Sequence, residues 1–134
     1  MNWDYITGFF DADGSVTLSV LSKGRNRSPV ISFHNNEISI LISIQLFIES
    51  ELNIKGHISI KRKKQENHED AYDLKFVNLP KCIAILKNIK TIHVKKKKRF
   101  EIIEKLKELT PRNGKYTEDI LTLRKALETK FFEG

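Results

Sequence analysis

Ile6-Thr-Gly-Phe-Phe-Asp-Ala-Asp-Gly14 is the stretch that decides the fold of this chain. The apolar side chains in and before it recur at helical spacing, which predicts a helix over residues 2–13. Asn2 is a residue type that caps a helix start, and Gly14 is typical of a helix C-terminus. Gly8 lies inside the predicted helix, where glycine costs roughly 0.5–1 kcal/mol relative to alanine unless another backbone must come close.

Asp11 and Asp13 place two carboxylates in the last turn of this helix. Because a helix C-terminus carries partial negative charge, each carboxylate there costs about 0.3–1 kcal/mol. Exposure to solvent, or a hard cation such as Mg²⁺, would relieve that cost. Asp-x-Asp-Gly also occurs in ordinary turns and in calcium loops, but the apolar Val16, Leu18 and Val20 that follow exclude a calcium loop here.

The rest of the chain alternates between strand-like and helical patterns. Polar and apolar residues alternate over 15–22, 30–34, 56–61 and 71–77, which predicts four strands, and helices are predicted over 37–52, 80–89, 95–109 and 117–132. The order αββαββα with extra C-terminal helices indicates an α+β fold. The apolar strand residues expected beneath the helices are Val16, Leu18, Ile31, Phe33, Ile58, Ile60, Leu74 and Phe76. Val20 and Tyr72 are expected on the buried faces of their own strands.

Composition limits the class of protein. A chain of 134 residues with 40% hydrophobic residues predicts one folded domain over 1–134. No apolar run is long enough for a membrane span, and the N-terminus lacks the basic start of a secretory signal. The single Cys82 lies in an apolar run, so we expect a buried thiol in a reducing compartment, the cytoplasm or a DNA-containing organelle. A net charge of +7 favours a polyanionic partner, chiefly nucleic acid.

The nine residues from Ile6 to Gly14 resemble the LAGLIDADG motif, matching both of its acids and both of its glycines. The similarity continues over nearly the whole chain, through ISFHNNE, IQLFIESEL and GHI. The resemblance implies a homing endonuclease with a four-stranded antiparallel saddle sheet that binds double-stranded DNA. One motif per chain implies a homodimer and a pseudo-palindromic target. It also implies Mg-dependent double-strand breaks with 3′ overhangs.

The resemblance assigns roles to residues of the motif helix. Asp13 matches the catalytic, metal-binding acid, and the main-chain carbonyl of Ala12 matches an accessory ligand. The resemblance implies Mg²⁺ as the metal, with Mn²⁺ or Ca²⁺ as substitutes in binding. Asp11 matches an acid with a structural role at the helix interface. The residues implied at the dimer interface are Ile6, Gly8, Phe9 and Asp11.

Two further catalytic candidates lie outside the motif. Asn35 is the best match for the polar residue that orients water at the end of the second strand, with Asn36 as the neighbouring candidate. An Asn at this position is also compatible with capping the helix that starts near Glu37. Lys95 opens a run of five cations at a predicted helix start, where an anion would relieve their repulsion. Lys95 is expected to stabilise the transition-state charge, and Lys96 and Lys97 are expected to form a solvated basic face.

The strand face opposite the predicted core is polar, and we expect it to contact DNA in the major groove. Arg25 and Arg27 are expected at the tip of the first hairpin. The other members expected to bind DNA are Ser15, Thr17, Ser19, Ser32, His34, His57, Ser59, Lys61, Asp73 and Lys75.

Two alternatives remain open. An intron maturase or a cleavage-inactive nucleic-acid-binding protein could use the same fold. A DNA-binding regulator without a metal would leave the acidic pair unexplained.

Overall fold

A computed structural model describes residues 1–20, 27–61, 70–111 and 115–133. The first helix, α1, spans Trp3–Asp13, and the Asn2 side chain caps it by accepting a hydrogen bond from the Tyr5 amide at 2.8 Å. The remaining elements follow in the predicted order. They are β1 (Gly14–Ser19), β2 (Ser28–Asn35), α2 (Ile38–Leu52), β3 (His57–Lys61), β4 (Ala71–Val77), α3 (Leu79–Leu86), α4 (Val94–Glu108) and α5 (Glu118–Phe132).

The four strands form one antiparallel sheet in the order β1-β2-β4-β3. The two inner strands, β2 and β4, bring Ile31 opposite Phe76 and Phe33 opposite Leu74. These four side chains are buried in the core, as the alternation predicts. The helices cover this face of the sheet and leave its other face open. The α+β fold with four strands and extra C-terminal helices is thereby confirmed.

Four burial predictions are wrong. Val20 is half exposed because β1 ends at Ser19, and Ile60 is 66% exposed because the helices contact mainly β2 and β4, whereas β3 is an edge strand. Ser32 and Asp73 were expected to be open to DNA, yet each is only 5% exposed. Both lie on inner strands, which have a neighbouring strand on each side.

The lone cysteine is a buried thiol, as predicted. Cys82 is fully buried, and burial raises the pKa of its thiol to about 12, so the thiol stays protonated. Its Sγ lies within hydrogen-bonding distance of the Phe76 and Pro29 carbonyls, at 3.4 and 3.5 Å. None of the described helices is long and apolar enough to cross a membrane.

Gly14 lies at the junction of α1 and β1, but its backbone conformation is not the one that favours glycine at a helix C-terminus. Its φ of −97° and ψ of 165° are extended, so no left-handed conformation requires glycine here. A Cβ at this position would lie 2.4 Å from the Phe10 ring and 2.8 Å from the Phe10 backbone. Close approach of Phe10 therefore requires the glycine.

We predict that Gly14→Ala lowers the free energy of unfolding by about 1–3 kcal/mol, since the added methyl overlaps backbone that cannot move away. Gly8→Ala is the matched control on the same helix, because beyond the adjacent helix backbone a Cβ there meets no atom of the described residues within 4 Å. The control is expected to be neutral or stabilising by up to about 1 kcal/mol. Urea unfolding at low protein concentration measures both, and equal effects would contradict the crowding at Gly14.

Candidate active site

The two carboxylates at the end of α1 have different environments. Asp11 is partly buried and accepts hydrogen bonds from the Thr91 hydroxyl and, at 3.2 Å, from the Ile92 amide. Asp13 is exposed, and its carboxylate accepts no hydrogen bond from the part of the chain that the structure describes. Asp11 therefore fixes the segment before α4, whereas Asp13 is available to an external ligand.

Lys96 of α4 supplies the positive charge at the C-terminus of α1. Its Nζ donates to the carbonyl of Phe10 at 2.7 Å and to that of Asp11 at 3.0 Å. The ammonium also lies 4.9 Å from the centre of the Phe10 ring. A cation is stabilising at a helix C-terminus, because the aligned peptide dipoles place partial negative charge there. The last turn of α1 contains no basic residue of its own.

The environment of Lys96 changes its proton affinity. Partial burial lowers the pKa of the Lys96 ammonium below its ordinary value of 10.5, and the carboxylates of Asp11 and Asp13 oppose this by favouring the charged form. The two effects have opposite signs, and burial is the larger.

The structure places Lys96, and not Lys95, at the motif helix. Lys96 lies four residues before Phe100 and seven before Ile103, both buried, so it shares the inward face of α4. Lys95 is exposed and lines an open groove between α4 and α5. The expectation that Lys96 belongs to a solvated face is wrong. The spacing to Phe100 and Ile103 is a sequence signal that could have identified it.

Asn35 lies at the end of β2, opposite Tyr72 of β4. Its side-chain oxygen accepts a hydrogen bond from the Glu37 amide at 2.8 Å, which orders the turn into α2. Asn35 does not cap α2, because Glu37 is the N-cap residue and no described side chain makes a cap hydrogen bond to this helix. A role in positioning water stays a prediction, with the amide nitrogen as the group left to perform it.

The donors at the end of α1 fit a hard divalent cation, which prefers carboxylate and carbonyl oxygens. Asp13 and the carbonyl of Ala12 are the residues of this chain that could hold it, and both residues are exposed. Within the described ranges, no group of three or more His, Cys, Asp or Glu side chains could hold a metal. Among the described residues, the end of α1 therefore presents Asp13 and the Ala12 carbonyl as its candidate ligands.

The open face of the sheet aligns the predicted DNA-binding side chains in transverse rows. One row runs from Ser15 through Ser32 and Lys75 to His57, and the next runs from His34 through Asp73 to Ser59. The partly or fully exposed members are Ser15, Thr17, Ser19, His34, His57, Ser59 and Lys75. Lys61 belongs to β3 by its backbone, and Arg25 lies outside the described residues.

Arg27 packs against α5 at the base of the β1–β2 hairpin. Its backbone amide donates to Glu128 at 3.1 Å, and its guanidinium donates to the Leu18 carbonyl at 3.2 Å. The same guanidinium lies 5.2 Å from the ring centre of Phe132. Arg27 therefore has structural partners in its own chain, although it was expected to reach DNA from the hairpin tip.

One face of α1 is not covered by the described residues. Gly8 is exposed, Tyr5 is 47% exposed, and Phe9 is partly buried against Phe33. Ile6, expected at a dimer interface, is completely buried in the core, so it has no surface for a second copy. The carboxylate of Asp11 likewise binds its own chain.

We predict that the Lys96 side chain titrates below pH 10.5, and that Asp13→Asn lowers the midpoint further by removing a charge that favours the ammonium. Nuclear magnetic resonance of the Lys96 Nζ environment measures the midpoint. Asp4→Asn, in the first turn of α1, is the control and should leave it unchanged. A midpoint at or above 10.5 in the wild type would contradict the burial of Lys96.

The lowered pKa of Lys96 also makes the stability of the fold depend on pH. The folded state loses the Lys96 proton at a lower pH than the unfolded state does. Below the folded-state pKa the ammonium is charged in both states, and its burial lowers the free energy of unfolding by the whole of its cost. As the pH rises from there towards 10.5, the wild type should gain free energy of unfolding relative to Lys96→Met.

Comparison with known proteins agrees with this geometry. The family model of the LAGLIDADG-like domain matches residues 3–133, whereas no curated protein sequence matches the chain. The homing endonuclease I-TnaI superposes with a TM-score of 0.72 at 17% identity, over 100% of this chain and 90% of its own. The meganuclease I-AabMI, bound to uncleaved DNA, gives 0.71 at 19% identity, over 100% of this chain and 46% of its own.

A third structure is the homing endonuclease I-CvuI in complex with a DNA target, at TM-score 0.65 and 16% identity, covering 96% of this chain and 78% of its own. At such identities the structural likeness shows the fold. This chain spans most of I-TnaI but less than half of I-AabMI. The family match over nearly all of the sequence goes further, because it includes the two acids and two glycines of the motif. The chain belongs to the LAGLIDADG family.

Proposed function

We propose that this chain is one subunit of a site-specific homing endonuclease that makes Mg-dependent double-strand breaks in DNA. The single observation that carries the proposal is the Asp13 carboxylate, exposed at the end of α1 with Lys96 beside the same helix end. A carboxylate is unfavourable at a helix C-terminus, and none of the described residues donates a hydrogen bond to the Asp13 carboxylate. A purely structural role would not account for an acid at this position.

Asp13 and the Ala12 carbonyl would hold the metal. When bound, Mg²⁺ polarises phosphate oxygens and lowers the pKa of water. Lys96 would place its positive charge close to the scissile phosphate and stabilise the negative charge that develops there. Asn35 would orient the attacking water through its amide nitrogen. I-CvuI was crystallised with DNA in the presence of Mg in one structure and Ca in another, which supports a divalent cation here.

Two copies of the chain would form the active enzyme. The uncovered face of α1 supports this arrangement, because Gly8 lets a second helix backbone approach without meeting a side chain. Leu46 of the neighbouring α2 is 61% exposed and would extend the apolar contact. Two-fold symmetry would bring two Asp13 residues to one DNA duplex and predicts a pseudo-palindromic target.

The open sheet face would lie in the major groove. Its exposed Ser, Thr, His and Lys side chains are donors and acceptors for base edges, and the net charge of +7 favours the phosphate backbone. We infer 3′ overhangs from the family pattern, and a cellular compartment that contains DNA and keeps Cys82 reduced.

We predict that the wild type linearises a plasmid that contains its target when Mg²⁺ is present. Asp13→Asn should lower the cleavage rate by more than about 100-fold while DNA binding persists, because it removes a metal ligand but leaves the sheet intact. Asp4→Asn is the matched control on the same helix and should cleave normally. Tight, specific binding without Mg-dependent cleavage in the wild type would favour a maturase or an inactive binding protein.

The same assay distinguishes the two lysines. Lys96→Met should lower the cleavage rate by about 100-fold or more, because a positive charge near the phosphate is lost. Lys95→Met should have a much smaller effect, since Lys95 lines the groove beside α5. A larger loss of cleavage rate in Lys95→Met than in Lys96→Met would identify Lys95 as the catalytic lysine.

We predict that Gly8→Leu abolishes dimerisation without unfolding the chain, since a Cβ at Gly8 meets no described atom within 4 Å apart from the adjacent backbone of its own helix. Analytical ultracentrifugation should show a dimer for the wild type and a monomer for the variant. Ala126→Leu adds the same side chain at an exposed position of α5 and should remain dimeric. A wild type that stays monomeric in the presence of DNA would contradict a shared active site.

A further inference from the structure

Three polar side chains form a connected chain across the open face of the sheet. The Nδ1 of His34 on β2 is hydrogen-bonded to the Asp73 carboxylate on β4. On the other side of the ring, Nε2 lies 3.4 Å from the Ser15 hydroxyl on β1. The three residues therefore join three neighbouring strands and hold one imidazole in a defined orientation.

Asp73 cannot itself reach DNA, because only 5% of it is exposed. Its carboxylate contacts the His34 ring, and the His34 side chain remains 33% exposed. A carboxylate accepts hydrogen bonds, so it fixes the Nδ1–H tautomer of the neutral ring and leaves Nε2 as an acceptor. The contact with Ser15 is long for a hydrogen bond, so Nε2 retains capacity for a stronger partner.

The position of His34 determines what that partner is. β2 and β4 are the inner strands of the sheet. When a sheet lies in the major groove, polar side chains on the face towards the DNA can hydrogen-bond to base edges. His34 follows Phe33, the partner of Gly14, so it lies beside the junction of α1 and β1 where Asp13 emerges.

We propose that His34 is a specificity-determining residue that accepts a hydrogen bond from the exocyclic amine of adenine or cytosine, and that Asp73 is its positioning residue. The inference rests on the proposed function, because it takes the open face as the DNA-binding surface. Because the imidazole is already held in place, it loses little conformational freedom when it binds DNA. A ring in a fixed orientation cannot turn to suit a different base pair, so a wrong base pair weakens binding.

The test is a binding selection from a randomised DNA library in Ca²⁺, which measures base preference without cleavage. For the wild type we expect a preference for adenine or cytosine at one symmetry-related pair of positions. His34→Ala should flatten that preference by about 5- to 10-fold and leave the other positions unchanged. His34→Lys replaces the acceptor by a donor and should shift the preference towards guanine.

Asp73 is tested through His34. Asp73→Ala should flatten the same position, and in the His34→Ala background it should cause no further loss there. If Asp73→Ala does not fold, the two His34 variants still decide the proposal. His57→Ala is the matched control, because His57 is exposed on the same face but belongs to the edge strand β3. It should leave the His34-dependent position unchanged.

The outcomes separate this inference from the proposed function. A wild type that selects no DNA sequence contradicts the proposed function itself. A wild type that selects a site, with His34→Ala preserving every base preference, overturns only the role of His34. An even loss of affinity at all positions overturns it too, because that would indicate a phosphate contact. A wild-type preference for guanine at the His34-dependent position would overturn the acceptor assignment.

Discussion

The site depends on one electrostatic contact, between the Lys96 ammonium and the C-terminal carbonyls of α1. That helix ends with two carboxylates and no basic residue in its last turn, so its partial negative charge needs a cation from elsewhere in the chain. Asp11 completes the connection in the other direction, by accepting hydrogen bonds from the segment before α4. The two contacts together fix α4 against α1 and leave Asp13 exposed.

The same helix performs different tasks on its different faces. Ile6 and Phe10 are completely buried, which fixes α1 on the sheet. Gly8 lies on the uncovered face, where its missing side chain leaves room for another backbone. Gly14 has the opposite environment, because Phe10 occupies the space that a side chain would need. The two glycines of the motif therefore have different surroundings, since Phe10 excludes a side chain at Gly14 and no described side chain crowds Gly8.

The order of the elements could be predicted because each has an amphipathic pattern that depends only on local spacing. The burial of individual side chains was less predictable, because it depends on neighbours from other strands. Alternation placed Asp73 on the open face correctly, but Asp73 is buried on an inner strand that has a neighbouring strand on each side. Ile60 shows the converse, since an apolar residue on an edge strand lies beyond the helices that cover the sheet.

The sequence by itself determined the fold class, the family and the candidate metal-binding acid, because the motif specifies two carboxylates and two glycines at a fixed spacing. Only the tertiary structure decided which lysine accompanies that acid. Lys95 and Lys96 are adjacent in the chain, but successive residues of a helix point about 100° apart. The packing of Phe100 and Ile103 selects the face that meets α1, and that face includes Lys96.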